Sequence, residues 1–163
     1  MSILSAAKGL AIAGSLWASG AIGVTSIMTI PALLLAPPDI AVKQFRLIYG
    51  IGYFTQPPLT LLTTMVHGFI AYHTRQSGNQ LWTRWATAAA FNATLLPWTF
   101  VLMEPVSHHL LFLVNADKGE KGKPEMSTQA KSLLNRWSKL NIIRGAFSLV
   151  AGMVGLWTCL ETA

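Results

Sequence analysis

Long runs without a charged side chain alternate with short polar clusters along this chain. Asp, Glu, Lys and Arg are absent from Gly9 to Pro38, Leu47 to Thr74, Trp85 to Met103 and Gly145 to Leu160. A bilayer core of about 30 Å is crossed by about 20 helical residues, so each of the first three runs predicts a spanning helix. The fourth covers only about 24 Å at 1.5 Å per residue. A full span ending at Leu160 therefore begins near Asn141 and takes Arg144 into the membrane. The pattern predicts helices over about 9–35, 47–73, 83–104 and 128–160, with a polar loop over about 113–127. The fold class is all-α: an integral membrane four-helix bundle forming one transmembrane domain over 1–163. Pro57-Pro58 and Pro97 each free a carbonyl four residues back, which predicts kinked helices 2 and 3. Ser127 reads as the N-cap of a fourth helix that starts in water, with Leu133, Leu134, Trp137 and Leu140 on one side.

Both termini then share one face, A, with the "TRQSGNQ" turn. The opposite face, B, holds "APPDIAVKQF" and the polar segment from Asn115. Lys8 before a run with small residues resembles a signal peptide, but the run is too long for one and reads as helix 1.

Polar side chains recur within the spans. Tyr49, Tyr53, Gln56, Thr60, Thr63 and His67 follow at intervals of three or four, which places them on one helix face. Asn92, Thr99 and Met103 form a second stripe, Asn141, Arg144, Ser148 and Gly152 a third, and Thr25 and Thr29 a fourth. Ser and Thr can bond their own backbone and let helices approach. Gln56, Asn92, Asn141 and Arg144 cost more to bury and need partners. By depth, Gln56, Thr99 and Arg144 fall in one half of the bilayer, which predicts a cavity opening toward face B. Glu104, at the face-B end of helix 3, is the expected ion partner of Arg144.

Composition agrees: with 52% hydrophobic and only 11% charged residues and mean hydropathy +0.46, the chain is more apolar and poorer in charge than a soluble domain of this size. Face B carries Lys43, Arg46, Lys118, Lys121, Lys123, Lys131, Arg136 and Lys139, against Lys8, Arg75 and Arg84 on face A. The positive-inside rule places the loops 36–46 and 106–135 in the cytoplasm. The net charge of +6 thus reflects topology and anionic lipid headgroups, with no nucleic-acid partner implied. The single cysteine, Cys159, makes no intrachain disulfide. Small residues such as Gly14 with Ala18, or Ser148 with Gly152, leave an oligomer open.

No GxGxxG, P-loop, CxxC, HExxH or GxSxG occurs, so none of the common cofactor cradles is present. The four histidines do not make one site: His67 and His73 lie toward face A, His108 and His109 on face B. Glu104 with His108 and His109 is an alternative metal site. His67 beside Asn92 is a candidate proton carrier, since imidazole titrates near neutrality.

Two strings carry a resemblance: "PWTFVLMEP" at 97–105, and Trp137, Asn141 and Arg144 in "WSKLNIIR". With four spans in about 160 residues, they resemble the fungal anthrone oxygenase (noranthrone monooxygenase-like) family of small membrane proteins. The chain departs from that pattern at Ser107, His108 and His109, where the family has an asparagine and a basic residue. The resemblance implies oxidation of a polyketide-derived anthrone to a quinone in fungal secondary metabolism. O2 would be co-substrate, without flavin, haem or nicotinamide, in the endoplasmic reticulum or another endomembrane. In that scheme Arg144 is the cationic clamp, with Asn141, Gln56 and Thr99 as donors to substrate oxygens. Trp98, Trp137, Tyr53 and Phe54 offer stacking surface, Asn92 joins the binding residues, and His67 or, second, Glu104 is the base. A metal-dependent oxidase or isomerase and a non-catalytic scaffold or carrier are the alternatives.

Overall fold

The computed structural model describes residues 3–116 and 124–162. Four rods result, with no strand among the described residues: α1 over Ile3–Leu35, α2 over Pro38–Gln76, α3 over residues 82–116 and α4 over Pro124–Leu160. The chain is an all-α membrane four-helix bundle. α1, the Trp82–Leu113 part of α3 and the Thr128–Leu160 part of α4 are long and apolar enough to cross a bilayer. α2, expected to span on the same grounds, is long enough at 39 residues but falls short in hydropathy, because its polar stripe lies in the middle of the run.

The rods outrun the predicted spans for local reasons. Ala36 before Pro37 is extended, as a residue preceding proline prefers, and ends α1. Pro38 and Asp39 then open α2 in the positions that suit a missing N–H and a negative charge. Between α2 and α3 the chain turns through Gly78 at φ +73°, a left-handed conformation that glycine adopts without strain. Asn79 secures the turn by accepting the Leu81 N–H at 2.9 Å. The start expected at Ser127 moves to Pro124, a first-turn proline, so Ser127 lies inside the helix and its side chain lies outside the described residues. Of the loop expected over 113–127, residues 113–116 and 124–127 are helical, and 117–123, with Lys118, Lys121 and Lys123, lie outside the described residues.

Proline leaves different marks in different rods. Pro57 and Pro58 sit within the continuous helix α2. In α1 and α3 the ladder slips instead to π spacing over Thr25–Thr29 and Thr99–Met103. The Ile30 N–H reaches the Thr25 carbonyl and the Glu104 N–H reaches that of Thr99, five residues back. Each π segment ends two residues before a proline, Pro31 or Pro105, which cannot donate to the carbonyl four residues earlier.

Each rod packs on its sequence neighbours, and α4 returns to pack on α1. The α1–α4 seam is made by glycines: a Cβ on Gly152 would lie 2.7 Å from Leu16 Cδ2, and one on Gly145 3.0 Å from Ile22 Cγ2. Gly14 likewise admits Thr63 Cγ2 at 2.7 Å. The small-residue patches offered for oligomerisation are thus consumed inside the bundle, with Ala18 and Ser148 buried.

Candidate active site

Two polar knots and two apolar plugs divide the bundle interior. Toward face A, Asn92 of α3 donates to Ser15 Oγ of α1 at 2.8 Å, and its Oδ1 accepts from Ser148 Oγ of α4 at 3.3 Å. His67 of α2 approaches the same amide at 3.5 Å, so all four rods meet there. Beyond it Ala11, Ile70 and Trp85 pack as a core. Toward face B, Ile30, Leu33, Phe45, Met103, Leu110, Leu134 and Trp137 form a second core, with the Phe45 and Trp137 rings edge-on at 5.2 Å.

Between them lies a cavity of about 400 Å³, within the range that holds small molecules. It occupies the face-B half of the bundle, flanked by the two π segments and by residues 48–60 of α2. π segments recur at functional sites, where the extra residue re-aims side chains. The Phe45–Trp137 core packs at the face-B end of the cavity, where Met103 and Trp137 also line it.

Arg144 projects into this cavity from α4 and donates from Nη1 to Thr99 Oγ1 at 3.3 Å. Thr99 passes its own proton to the Leu95 carbonyl at 2.7 Å, which leaves its oxygen free to accept. Arg144 Nε is buried without a protein partner, as are Gln56 Oε1 and Asn141 Oδ1 on the same cavity wall. Asn141 is otherwise tied down by its Nδ2, which donates to Ser26 Oγ at 2.8 Å.

Glu104 is not the counter-ion expected of it. Both carboxylate oxygens instead accept from Tyr49 Oη, at 2.8 and 2.9 Å, and Oε1 lies 3.2 Å from His108 Nε2. The π segment between Thr99 and Glu104 sets the two contacts roughly 7 Å apart along the axis, so Arg144 and Glu104 face one cavity without meeting. Glu104 and His108 make a pair, but among the described residues no three His, Cys, Asp or Glu side chains converge as a metal set, and His109 does not join them.

Of the residues proposed from sequence, Arg144, Glu104, Gln56, Tyr53, Thr99, Trp137 and Asn141 line the cavity. His67, Asn92 and Trp98 do not. His67 is fully buried, its Nδ1 lies 2.8 Å from the Thr63 carbonyl, and its ring rests near Trp85. Trp98 turns to α4, where it donates to the Leu140 carbonyl at 3.1 Å and stands edge-on to Phe147. Phe54 is largely exposed on the outer surface. Reading by residue type missed Tyr49 and Ser107 as site residues. Tyr49 stood in the α2 stripe, and Ser107 receives the Trp137 indole N–H at 3.1 Å. A signal for the π segments was also present: both rods carry threonine six residues before proline, Thr25 to Pro31 and Thr99 to Pro105.

No solved structure matches this chain. Curated relatives do, over most of its length. Anthrone oxygenase AgnL2 of Paecilomyces divaricatus is 27% identical over 157 residues, 95% of each chain. Anthrone oxygenase encC of Aspergillus fumigatus is 30% identical, covering 94% of this chain and 92% of its own. Monooxygenase hypC of Dothistroma septosporum is 29% identical, covering 85% and 74%. The anthrone oxygenase family matches residues 45–154, the stretch that supplies three of the four rods and both Arg144 and Glu104. Matched over about two thirds of its length, and 30% identical to a curated relative over nearly all of it, the chain belongs to the anthrone oxygenase family.

Proposed function

We propose that the protein converts an anthrone-like aromatic ketone to the corresponding quinone with O2, inside the bilayer. The observation that carries this reading is the separation of Arg144 from Glu104 across a shared cavity. Ionising a C–H bond next to a conjugated carbonyl calls for a base at the carbon and a positive charge at the oxygen, and the two must not neutralise each other.

In the proposed sequence the Glu104 carboxylate takes one methylene proton. The negative charge spreads over the rings to the ketone oxygen, where Arg144 stabilises it, with Thr99 and Gln56 available to other oxygens. This anion is electron-rich enough to give one electron to O2, and the radical pair closes a C–O bond. The peroxide takes the proton back from Glu104. The carboxylate then removes the second proton from the same carbon as the O–O bond breaks, and the departing hydroxide takes that proton from Glu104, leaving as water and restoring the carboxylate. One O2 atom becomes the quinone carbonyl and the other becomes water, so the carbon loses the four electrons that O2 gains. The scheme calls on no flavin, haem or metal, because the substrate itself is the reductant.

Glu104 replaces His67 as the base because it lines the cavity and His67 does not. Tyr49 and His108 hold the carboxylate in place. The excess of Lys and Arg near face B supports a cytoplasmic placement of that face, in an endomembrane where a hydrophobic polyketide dissolves.

The test is O2 uptake with product analysis in membranes holding wild-type or Glu104→Gln protein, with ¹⁸O2 and a chelator control. The expected outcome is quinone carrying one label, unaffected by chelation and lost in the variant. No rate above spontaneous oxidation with any of a series of anthrones would sink the reading.

A further inference from the structure

Packed side chains flank the cavity at both ends: the Phe45–Trp137 core lies below it, and the Asn92 knot with the Ala11–Trp85 core lies above. The lining marks a way in through the side of the bundle. α1 and α2 run antiparallel, and Gly14 against Thr63 fixes their register. The same register carries Trp17, Ala21, Thr25 and Thr29 past Thr60, Gln56, Gly52 and Ile48, all of which line the cavity. Several cavity-lining residues along this seam also face outward: Trp17 is 62% exposed, Ile51 60%, and Thr55 is exposed. At this depth, outward means lipid.

The chemistry of the rim differs from that of the interior. Thr25 donates to the Ala21 carbonyl at 2.9 Å and Thr55 to that of Ile51 at 2.9 Å. Thr29 leans back to Val24 at 3.5 Å. Their hydroxyls are therefore spent on their own helices and ask nothing of lipid. Three of the buried atoms without a partner, Gln56 Oε1, Asn141 Oδ1 and Arg144 Nε, belong to residues of the inner wall. Gly52, on the rim, has no atom within 4 Å of where a Cβ would stand.

We propose that the α1–α2 seam is a lipid-side entrance, and that the substrate is taken up from the bilayer as an uncharged, flat weak acid. It passes a rim whose threonine hydroxyls are spent on their own helices and ionises only inside, its proton going to the Glu104 carboxylate while its anion is held by Arg144. The second part rests on the function proposed above, whereas the first stands on geometry alone.

Two measurements separate them, both on the full chain in lipid nanodiscs. For the first, a Cys159→Ser background carries a spin label at Gly52→Cys, with Ser77→Cys as the aqueous reference and Met65→Cys as the lipid reference. The Gly52 label is expected to collide with O2 as the Met65 label does and to be shielded from a water-soluble nickel chelate. Nickel accessibility matching that of Ser77 overturns the entrance whatever the enzyme does. For the second, Gly52→Trp plugs the rim, and Gly50→Trp is its control, since Gly50 also has open space but lies off the cavity. With anthrone dissolved in the lipid, Gly52→Trp is expected to lower kcat/KM by roughly tenfold or more while Gly50→Trp keeps the wild-type value. Equal kcat/KM for both variants in an active wild-type background overturns the entrance and leaves the proposed reaction standing.

Discussion

Arg144 sets the terms at the scale of single residues. A cation in the hydrocarbon region ordinarily secures a carboxylate, and here Nη1 donates to a threonine hydroxyl at 3.3 Å while Nε stays unpartnered. Removing a charge that has no counter-ion relieves desolvation without stranding a partner. Arg144→Gln is therefore expected to keep or raise the protein's resistance to thermal unfolding in detergent while lowering turnover by roughly 10²–10³-fold, the usual cost of losing an oxyanion-stabilising group. Equal losses of stability and activity would instead show a cation that holds the bundle together. Much of this site was legible as sequence. The three-and-four spacing put Tyr53, Gln56 and Thr60 on one face, and the length of the last apolar run forced Arg144 into the bilayer. Spacing fixes a helix face and a depth, but it does not say what fills the space opposite. His67 and Asn92 share their stripes with cavity residues, yet Ser15 and Ser148 close around Asn92 and leave no room for a ligand. The Glu104–Tyr49 contact was illegible for a related reason: Arg144 and Tyr49 were both within plausible reach, and the side-chain geometry decides.

At the scale of elements, helix-helix distance is set by glycine. A Cβ on Gly152 would lie under 3 Å from the Cγ and Cδ2 atoms of Leu16 and 3.4 Å from the backbone nitrogen of that residue, so a methyl group there has to displace α1. Gly23, one helix away, has nothing within 4 Å. Gly152→Ala is expected to destabilise by about 1–3 kcal/mol, as overpacking does, whereas Gly23→Ala is expected to be neutral or slightly stabilising through helix propensity alone, within about 1 kcal/mol. Denaturant titration in mixed micelles checks the pair, and a Gly152→Ala protein as stable as wild type would mean that the α1–α4 seam yields to a methyl group without cost. The four rods themselves followed from charge-free runs and length. Their extensions beyond the predicted spans did not, because a proline at the first turn starts a helix while the same residue inside a polar stretch reads as a loop. The π segments escaped for a similar reason: the sequence shows where a ladder bond is missing, and only neighbouring rods determine whether the helix bends, breaks or widens.

At the scale of the whole molecule, the protein is a bundle with its interior emptied at one level and packed tightly above and below it. Four helices held by an Asn92 knot at one end and an aromatic core at the other do not need the middle filled to stay assembled. Whatever occupies the middle therefore adds to stability rather than creating the fold. A ligand that binds the folded bundle alone raises its unfolding free energy in proportion to the logarithm of its concentration over Kd, about 2.7 kcal/mol at a hundredfold excess. Hydroxylated anthraquinones carry the flat rings and acidic oxygens that the cavity walls suit. They are expected to raise the midpoint of thermal unfolding in a saturable way, and Arg144→Gln is expected to shrink that rise because the anionic oxygen loses its cation. Neutral anthracene supplies the decisive contrast. It fits the same apolar walls but offers nothing to Arg144, Gln56 or Asn141, so a shift as large as that of the hydroxyquinone would mean that the cavity selects by shape alone. A larger shift for the hydroxyquinone, lost in the variant, would tie the polar inner wall to recognition without any turnover being measured.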